Sequence, residues 1–295
     1  MSYQIISDSS CDLGAALAAE KQITVVPFYV AFDEESYKKE IEEMGIRDFY
    51  QQMVDNPTVF PKSSMPSVQD YADVFTPVIE RGEAVLCLCI SSKFSGSLQS
   101  AITARDMLLE KYPEAQITVM DTMVNTVLQG IFVLEAVRLR DAGIPYEEAV
   151  ARLEKVRDTG RIFFTVGSID YLQHGGRIGK VAGAAVSVLG IKPLITLKEG
   201  EIFSSGVARG RKKSLDKVIS LLKAYLEENH ADIRDYSICI GYGYDYEEAQ
   251  AFQAQVKSEL ASEFGDFDLP LFQIGATIAV HTGPYPLGVA IVKRT

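Results

Sequence analysis

The sequence predicts an α/β protein of two domains: an N-terminal α/β/α layer around a parallel sheet (residues 1–160) and a C-terminal α/β domain with a mixed sheet (residues 161–295). Three observations predict it. The chain has 295 residues, 47% hydrophobic and 23% charged, a balance that supports two ordinary cores and excludes wholesale disorder. Short β-rich runs alternate with amphipathic stretches up to about residue 160, which is the rhythm of a parallel sheet with crossover helices. After Gly160 the rhythm changes to a hairpin pattern and clustered strands.

Residues 3–7 read as the first strand. Residues 24–31 read as a second, almost continuously apolar, as a parallel strand buried on both faces must be. The pattern returns at 84–90 and 116–121, and helical periodicity falls between, at 68–80, 97–111, 124–142 and 146–159. The acidic segment 33–44 reads as a solvated excursion. In the second half a strand at 161–166 is followed by a Gly- and Ala-rich region. Residues 191–197 and 202–207 read as a hairpin about Lys198-Glu199-Gly200. A helix at 214–228, a strand at 236–241 and a helix at 247–264 follow. Closing strands are expected near 269–273, 277–280 and 287–292, with the helices on one side of the sheet.

Lys and Arg number 29 and Asp and Glu 40, a net charge of −11, with a pI near 4.9. That argues against a nucleic-acid or anionic-membrane surface. An anionic ligand would need local attraction from helix N-termini, backbone N–H groups or one or two placed cations. The N-terminus lacks the basic and apolar regions of a signal peptide, and the run 182–197 is broken by Ser187, Lys192 and Pro193, so a cytoplasmic protein without a transmembrane segment is expected. Cys11, Cys87, Cys89 and Cys239 read as buried, reduced thiols, with Cys87 and Cys89 expected on opposite faces of their strand. Neither the cysteines nor the three histidines have metal-site spacing, so no metal is expected.

Five loops place hydroxyls, glycines or a cation where elements meet. Ser7-Asp8-Ser9-Ser10-Cys11-Asp12-Leu13 ends the first strand, where open α/β sheets bind ligands, although the same residues are good helix caps. In Lys62-Ser63-Ser64-Met65-Pro66-Ser67, Ser67 can cap the next helix, which leaves the hydroxyls of Ser63 and Ser64 available to a carboxylate or phosphate. Ser91-Ser92-Lys93-Phe94-Ser95-Gly96-Ser97 puts Ser95 and Gly96 at a helix N-terminus, where N–H groups and the macrodipole favour an anion. No GxxxxGK[ST] occurs. His174-Gly175-Gly176-Arg177 is a glycine turn with one cation, which a surface turn would equally explain. His281-Thr282-Gly283-Pro284 is rigid for a surface loop, though a lone histidine is more often structural.

Together and in this order, these motifs resemble the DegV family, the fatty-acid-binding subunits of bacterial fatty acid kinase. The carriers also include Tyr171-Leu172-Gln173-His174-Gly175-Gly176-Arg177-Ile178 and Gly190-Ile191-Lys192-Pro193-Leu194, and the resemblance covers essentially the whole chain. It departs from the family pattern in Ser63 for Thr and Met65 for Gln, and in Tyr285-Pro286 after Pro284. The resemblance implies a non-catalytic carrier that binds one long-chain fatty acid between two domains, needs no other cofactor, and presents the carboxylate to a separate kinase subunit for ATP-dependent phosphorylation to an acyl phosphate for phospholipid synthesis. On that pattern Ser63, Ser64, Ser95, Gly96, Arg177 and His281 hold the carboxylate. Asp8, Ser9, Ser10, Thr282 and Gly283 form a secondary pocket, and Arg209 and Arg211, in the stretch Arg209-Gly210-Arg211-Lys212-Lys213, dock the kinase. The small residues Gly179, Ala182, Gly183, Ala184, Ala185 and Gly190 would leave room for a tail or let helices pack closely. The alternatives are a stand-alone hydrolase or phosphotransferase using Ser95 or His281, disfavoured by the missing GxSxG elbow, and a regulatory protein that senses lipid.

Overall fold

The first strand, β1 (Tyr3–Asp8), has Ile5 and Ile6 fully buried and pairs in parallel on both sides. A computed structural model describes residues 2–33, 35–181 and 190–295. The expected small-residue stretch Ala182, Gly183, Ala184 and Ala185 therefore lies outside the described residues. After α1 (Gly14–Glu20) and β2 (Ile23–Val26) the chain leaves the first sheet. It makes β3 (Tyr29–Ala31), β4 (Lys38–Lys39), α2 (Ile46–Asp55) and β5 (Lys62–Ser64), whose strands form a small antiparallel sheet in the order β4-β3-β5. Then α3 (Val68–Glu80), β6 (Ala84–Cys89), α4 (Ser97–Lys111) and β7 (Ile117–Asp121) complete a parallel sheet ordered β2-β1-β6-β7. All six residues of β6 are buried, as a central parallel strand covered on both faces requires.

Two helices follow, α5 (Thr126–Asp141) and α6 (Tyr146–Val156). In α5, 12 of the 16 residues are buried, so this helix must be covered on nearly every side rather than along one stripe. It is: α5 packs on β1 from the first sheet and on β11 and β13 of the second. The second sheet comes from β8 (Arg161–Thr165), then α7 (Asp170–His174), β9 (Ile191–Lys198), β10 (Glu201–Arg209), α8 (Arg211–Glu228), β11 (Tyr236–Tyr242), α9 (Tyr246–Phe264), β12 (Leu271–Gln273), α10 (Ala276–Thr282) and β13 (Leu287–Lys293). Its order is β10-β9-β8-β13-β11-β12, antiparallel except for β11 and β12. Glu199 at φ 53° and Gly200 at φ 78° make the two-residue hairpin turn; two positive φ values match the twist of the strands they join.

Several expectations are corrected. The stretch 24–31 is two strands in two sheets, because Pro27 has no N–H for a ladder and Phe28 turns its N–H to Ser9 Oγ at 2.9 Å. The segment 33–44 is not simply solvated: Glu40 is fully buried and Met44 joins a core cluster. Residues 277–280 lie in α10, since a short run buried all round has no periodicity to distinguish helix from strand. The helices of the second half do lie together, with α8 and α9 in one cluster, but α5 covers the opposite face. Cys87 and Cys89 share a face, Sγ to Sγ 3.6 Å, because residues two apart on a strand point the same way. Finally, Asp8 to Leu13 provide no side-chain cap for α1; they enter a buried network instead.

Candidate functional site: an apolar cavity with a polar end

A cavity of about 280 Å³ is lined from both halves of the chain. Its walls are largely apolar, among them Phe28, Ile90, Phe164, Leu197, Ile202 and Ile278. Ser63, Ser64, Ser95, Gly96, Arg177 and His281, which the sequence places as far as 218 positions apart, all line it, as does Thr282. Contacts tie the polar groups together. Ser63 Oγ lies 3.3 Å from His281 Nε2, Met65 Sδ lies against Gly96, and Arg177 acts on both His281 and the Phe94 carbonyl.

Each group is placed by its element. Ser67 caps α3 with a capping box to Asp70, which fixes the exit of the β5 strand that carries Ser63 and Ser64. Gly96 is the N-cap of α4, whose first turn carries no acidic side chain, and Ser95 Oγ accepts from the Ser97 N–H at 3.1 Å. A Cβ on Gly96 would sit 2.6 Å from Met65 Sδ, so glycine is needed for Met65 to lie over the helix start. Arg177 leaves the Gly175-Gly176 turn and donates Nε and Nη2 to Phe94 O, both at 3.2 Å, and Nη1 to Gly175 O at 2.7 Å. Three of its five N–H groups thus hold the loop that delivers Ser95 and Gly96.

His281 lies in the last turn of α10 with its Nδ1 buried and, among the described residues, without a hydrogen-bond partner. A Cβ on Gly175 would lie only 2.1 Å from that nitrogen, so glycine makes the space for the ring. Burial, and next the positive Arg177, push the imidazole down to about 4. The ring is therefore neutral at pH 7. We assign its proton to Nε2, since an orphaned buried N–H is rarer than an under-used acceptor. The site thus offers an uncharged N–H donor beside Ser63, with the Arg177 cation lining the same cavity.

The remaining sequence-derived residues lie elsewhere. Asp8, Ser9 and Ser10 are buried and are not among the lining residues. Asp8 accepts from Ile90 N, Ser97 Oγ, Ser10 Oγ and Gln129 Nε2 at 2.6–3.0 Å, and burial raises its carboxyl despite them. Ser97 links this network to the start of α4. Gly283, at φ 75°, packs on the Tyr171 ring, where a Cβ would come within 2.6 Å. Arg209 is exposed on the edge strand β10, whereas Arg211 forms a two-pronged ion pair with Glu248 at 2.8 and 2.6 Å. Residues the sequence did not single out include Thr126, Thr277 and Asn125, whose Oδ1 is buried without a partner. Among the described residues, no cluster of His, Cys, Asp and Glu could hold a metal ion, and no helix is long and apolar enough to cross a membrane.

The family model described as "Uncharacterised protein, DegV family" matches residues 2–294. The chain belongs to the DegV family. This DegV chain is 43% identical, over 99% of its own length and 98% of the other's, to a stearic acid-binding protein of Eubacterium ventriosum, with a TM-score of 0.93. It is 31% identical to a DegV protein of Thermus thermophilus described for its fatty acid binding, covering 99% and 100% of the two chains at a TM-score of 0.87. A DegV domain-containing protein of Deinococcus radiodurans is 30% identical over 99% of this chain and 98% of its own.

Proposed function

We propose that this DegV protein binds one long-chain fatty acid in the cavity, its carboxylate at the Ser63, Ser64, Ser95, Gly96, Arg177 and His281 end. It presents that carboxylate to a separate kinase subunit for ATP-dependent phosphorylation. The observation that carries the reading is the cavity itself: a largely apolar lining that also takes in the Ser63, Ser64 and Ser95 hydroxyls, a neutral imidazole and the Arg177 guanidinium, in a chain whose structural relatives at 43% and 31% identity are described as fatty-acid binding. Burying about fifteen methylenes contributes on the order of 12 kcal/mol gross, before entropic and desolvation costs. Tail burial therefore sets affinity. The polar groups fix the head, since a carboxylate buried without partners would be costly.

The Ser63–His281 contact is also the one feature that favours a hydrolase. Its chemistry argues otherwise. A base needs its ring oriented by a partner on the far nitrogen and a proton affinity near the working pH. Here Nδ1 has no partner and the ring titrates near 4. Kinase docking falls to the exposed Arg209, with Arg211 held in place by Glu248.

Titration with stearate tests the reading. Saturable binding of one molecule per chain is expected, weakened about tenfold in Ser63→Ala, which corresponds to one head-group hydrogen bond. Arg209→Ala should leave that affinity unchanged and slow phosphorylation by a fatty acid kinase subunit with ATP. Absence of saturable binding overturns the carrier reading. Turnover of acyl phosphate or a model ester by the protein alone would support the hydrolase.

A further inference from the structure

Two carboxylates stand behind the cavity wall without a cation. Asp12 is 4% exposed, Glu40 is fully buried, and neither lines the cavity. They converge on one point: a Cβ on Gly275 would lie 2.5 Å from Asp12 Oδ1 and 2.6 Å from Glu40 Oε1. Among the described residues, no lysine, arginine or histidine pairs with either. The titratable groups facing them are Asp8 from β1, Cys11 from the turn after it and Tyr50 from α2, with Tyr242 of β11 beyond Tyr50. From α5 and α10 they meet only hydroxyls and backbone.

Donors are divided unequally between the two. Glu40 accepts from Ser9 Oγ at 2.6 Å, Thr277 Oγ1 at 2.7 Å and Thr277 N at 3.0 Å. Asp12 accepts from Thr126 Oγ1 at 2.5 Å on Oδ2, with the Gly275 N–H as its further donor. Two ionised carboxylates this close, out of water, would repel each other and forfeit their hydration, whereas an acid beside a carboxylate avoids both penalties. The carboxyl served by fewer donors is the one to carry a proton, which makes Asp12 the acid and Glu40 the anion. Burial first, then the neighbouring Glu40, hold Asp12 well above the usual carboxyl range, and burial raises Glu40 too.

The donors themselves connect this pair to the ligand. Thr126 and Thr277 both line the cavity, yet both hydroxyls are spent on the carboxylates. What remains of each side chain is its γ-methyl group.

We propose that Asp12 and Glu40 share one proton and act as a positioning pair, holding the Thr126 and Thr277 hydroxyls out of the cavity so that its wall stays apolar toward an aliphatic chain. The wall function rests on the fatty-acid reading; the shared proton does not. Asp12→Asn fixes the neutral state, with an amide that can still accept from Thr126 and donate to Glu40. Wild type should lose stability as pH rises above about 4, because the folded chain retains a proton that the unfolded chain has released, up to about tenfold in the folding constant per pH unit. Asp12→Asn should abolish that contribution, as read by denaturant titrations from pH 5 to 9, and still bind stearate.

Glu40→Gln offers N–H groups to donors, frees the Thr277 and Ser9 hydroxyls, and should shrink the preference for stearate over 12-hydroxystearate about tenfold. Thr277→Ser, which keeps the hydroxyl for Glu40 and loses the methyl, should weaken stearate binding about threefold even if Glu40→Gln does not fold. An Asp12→Asn slope equal to wild type overturns the shared proton. An unchanged preference in Glu40→Gln, or an unchanged stearate affinity in Thr277→Ser, overturns the wall assignment. If wild type binds no stearate, the carrier reading fails and the wall assignment with it, while the pH slope still decides the proton.

Discussion

His281 is the residue on which the polar end turns, because it is buried, uncharged and fitted against a glycine. Its depressed proton affinity has a defined sign in stability. The unfolded histidine takes up a proton near 6.5 and the folded one only near 4, so between those values the unfolded chain binds more protons and stability falls as pH is lowered. The contribution is up to about 3 kcal/mol. We expect the His281 ring to titrate near 4 by NMR and to move upward in Arg177→Ala, since the guanidinium is one of the two causes. A ring titrating at 6.5 in wild type would mean that it is solvated. Gly175→Ala is the steric counterpart: its methyl meets Nδ1 at 2.1 Å, displacing the imidazole and weakening stearate binding about tenfold, while the far-UV spectrum stays native. At this scale the sequence was most informative about the head-group residues, because hydroxyls beside Gly and Pro at element ends are conspicuous. It could not reveal Thr126, which sits at φ 50° with no sequence mark of that conformation. Glu40 was hidden as well, one acid among several in a segment that reads as solvated.

Among the elements, the strands and helices with a plain period were legible: β6, α3, α4 and the β9–β10 hairpin lie within a residue or two of where hydrophobic alternation and turn residues put them. Those that were not lack a plain period, each for its own reason. The short α10 helix is buried on nearly every side, the 24–31 run contains a sheet change at Pro27, and β5 is too short and polar to carry a pattern. Two substitutions should separate local from tertiary support. Ser67→Ala removes the side-chain half of the α3 capping box, in which Ser67 Oγ accepts from the Asp70 N–H, and should cost about 1 kcal/mol in denaturant titrations. Gly288→Ala would drive a Cβ to 2.3 Å from Phe163 O and 2.4 Å from Phe164 Cβ, in the centre of the six-stranded sheet. We expect a loss of more than about 4 kcal/mol, because two paired strands must separate. Comparable losses for the two would mean that β13 is not clamped between its neighbours.

For the whole molecule, the two sheets share one core, and each also has a buried cluster of its own. One apolar cluster runs from Ile5 and Leu86 through α5 to Ile195, Cys239 and Ala290, spanning both halves. Length and rhythm showed that there would be two sheets, but not that a single helix would be sandwiched between them. Urea unfolding should accordingly follow one cooperative transition by far-UV and tyrosine signals; separated transitions would show that the halves fold independently. The net charge of −11 is compatible with an anionic ligand only because the polar end is local and the tail supplies the affinity. Native mass spectrometry of freshly purified protein tests that most directly. The account predicts one extra mass per chain equal to a C14–C18 fatty acid, exchanged for stearate when stearate is added; a bare 32.5 kDa chain that excess stearate leaves unchanged would contradict it.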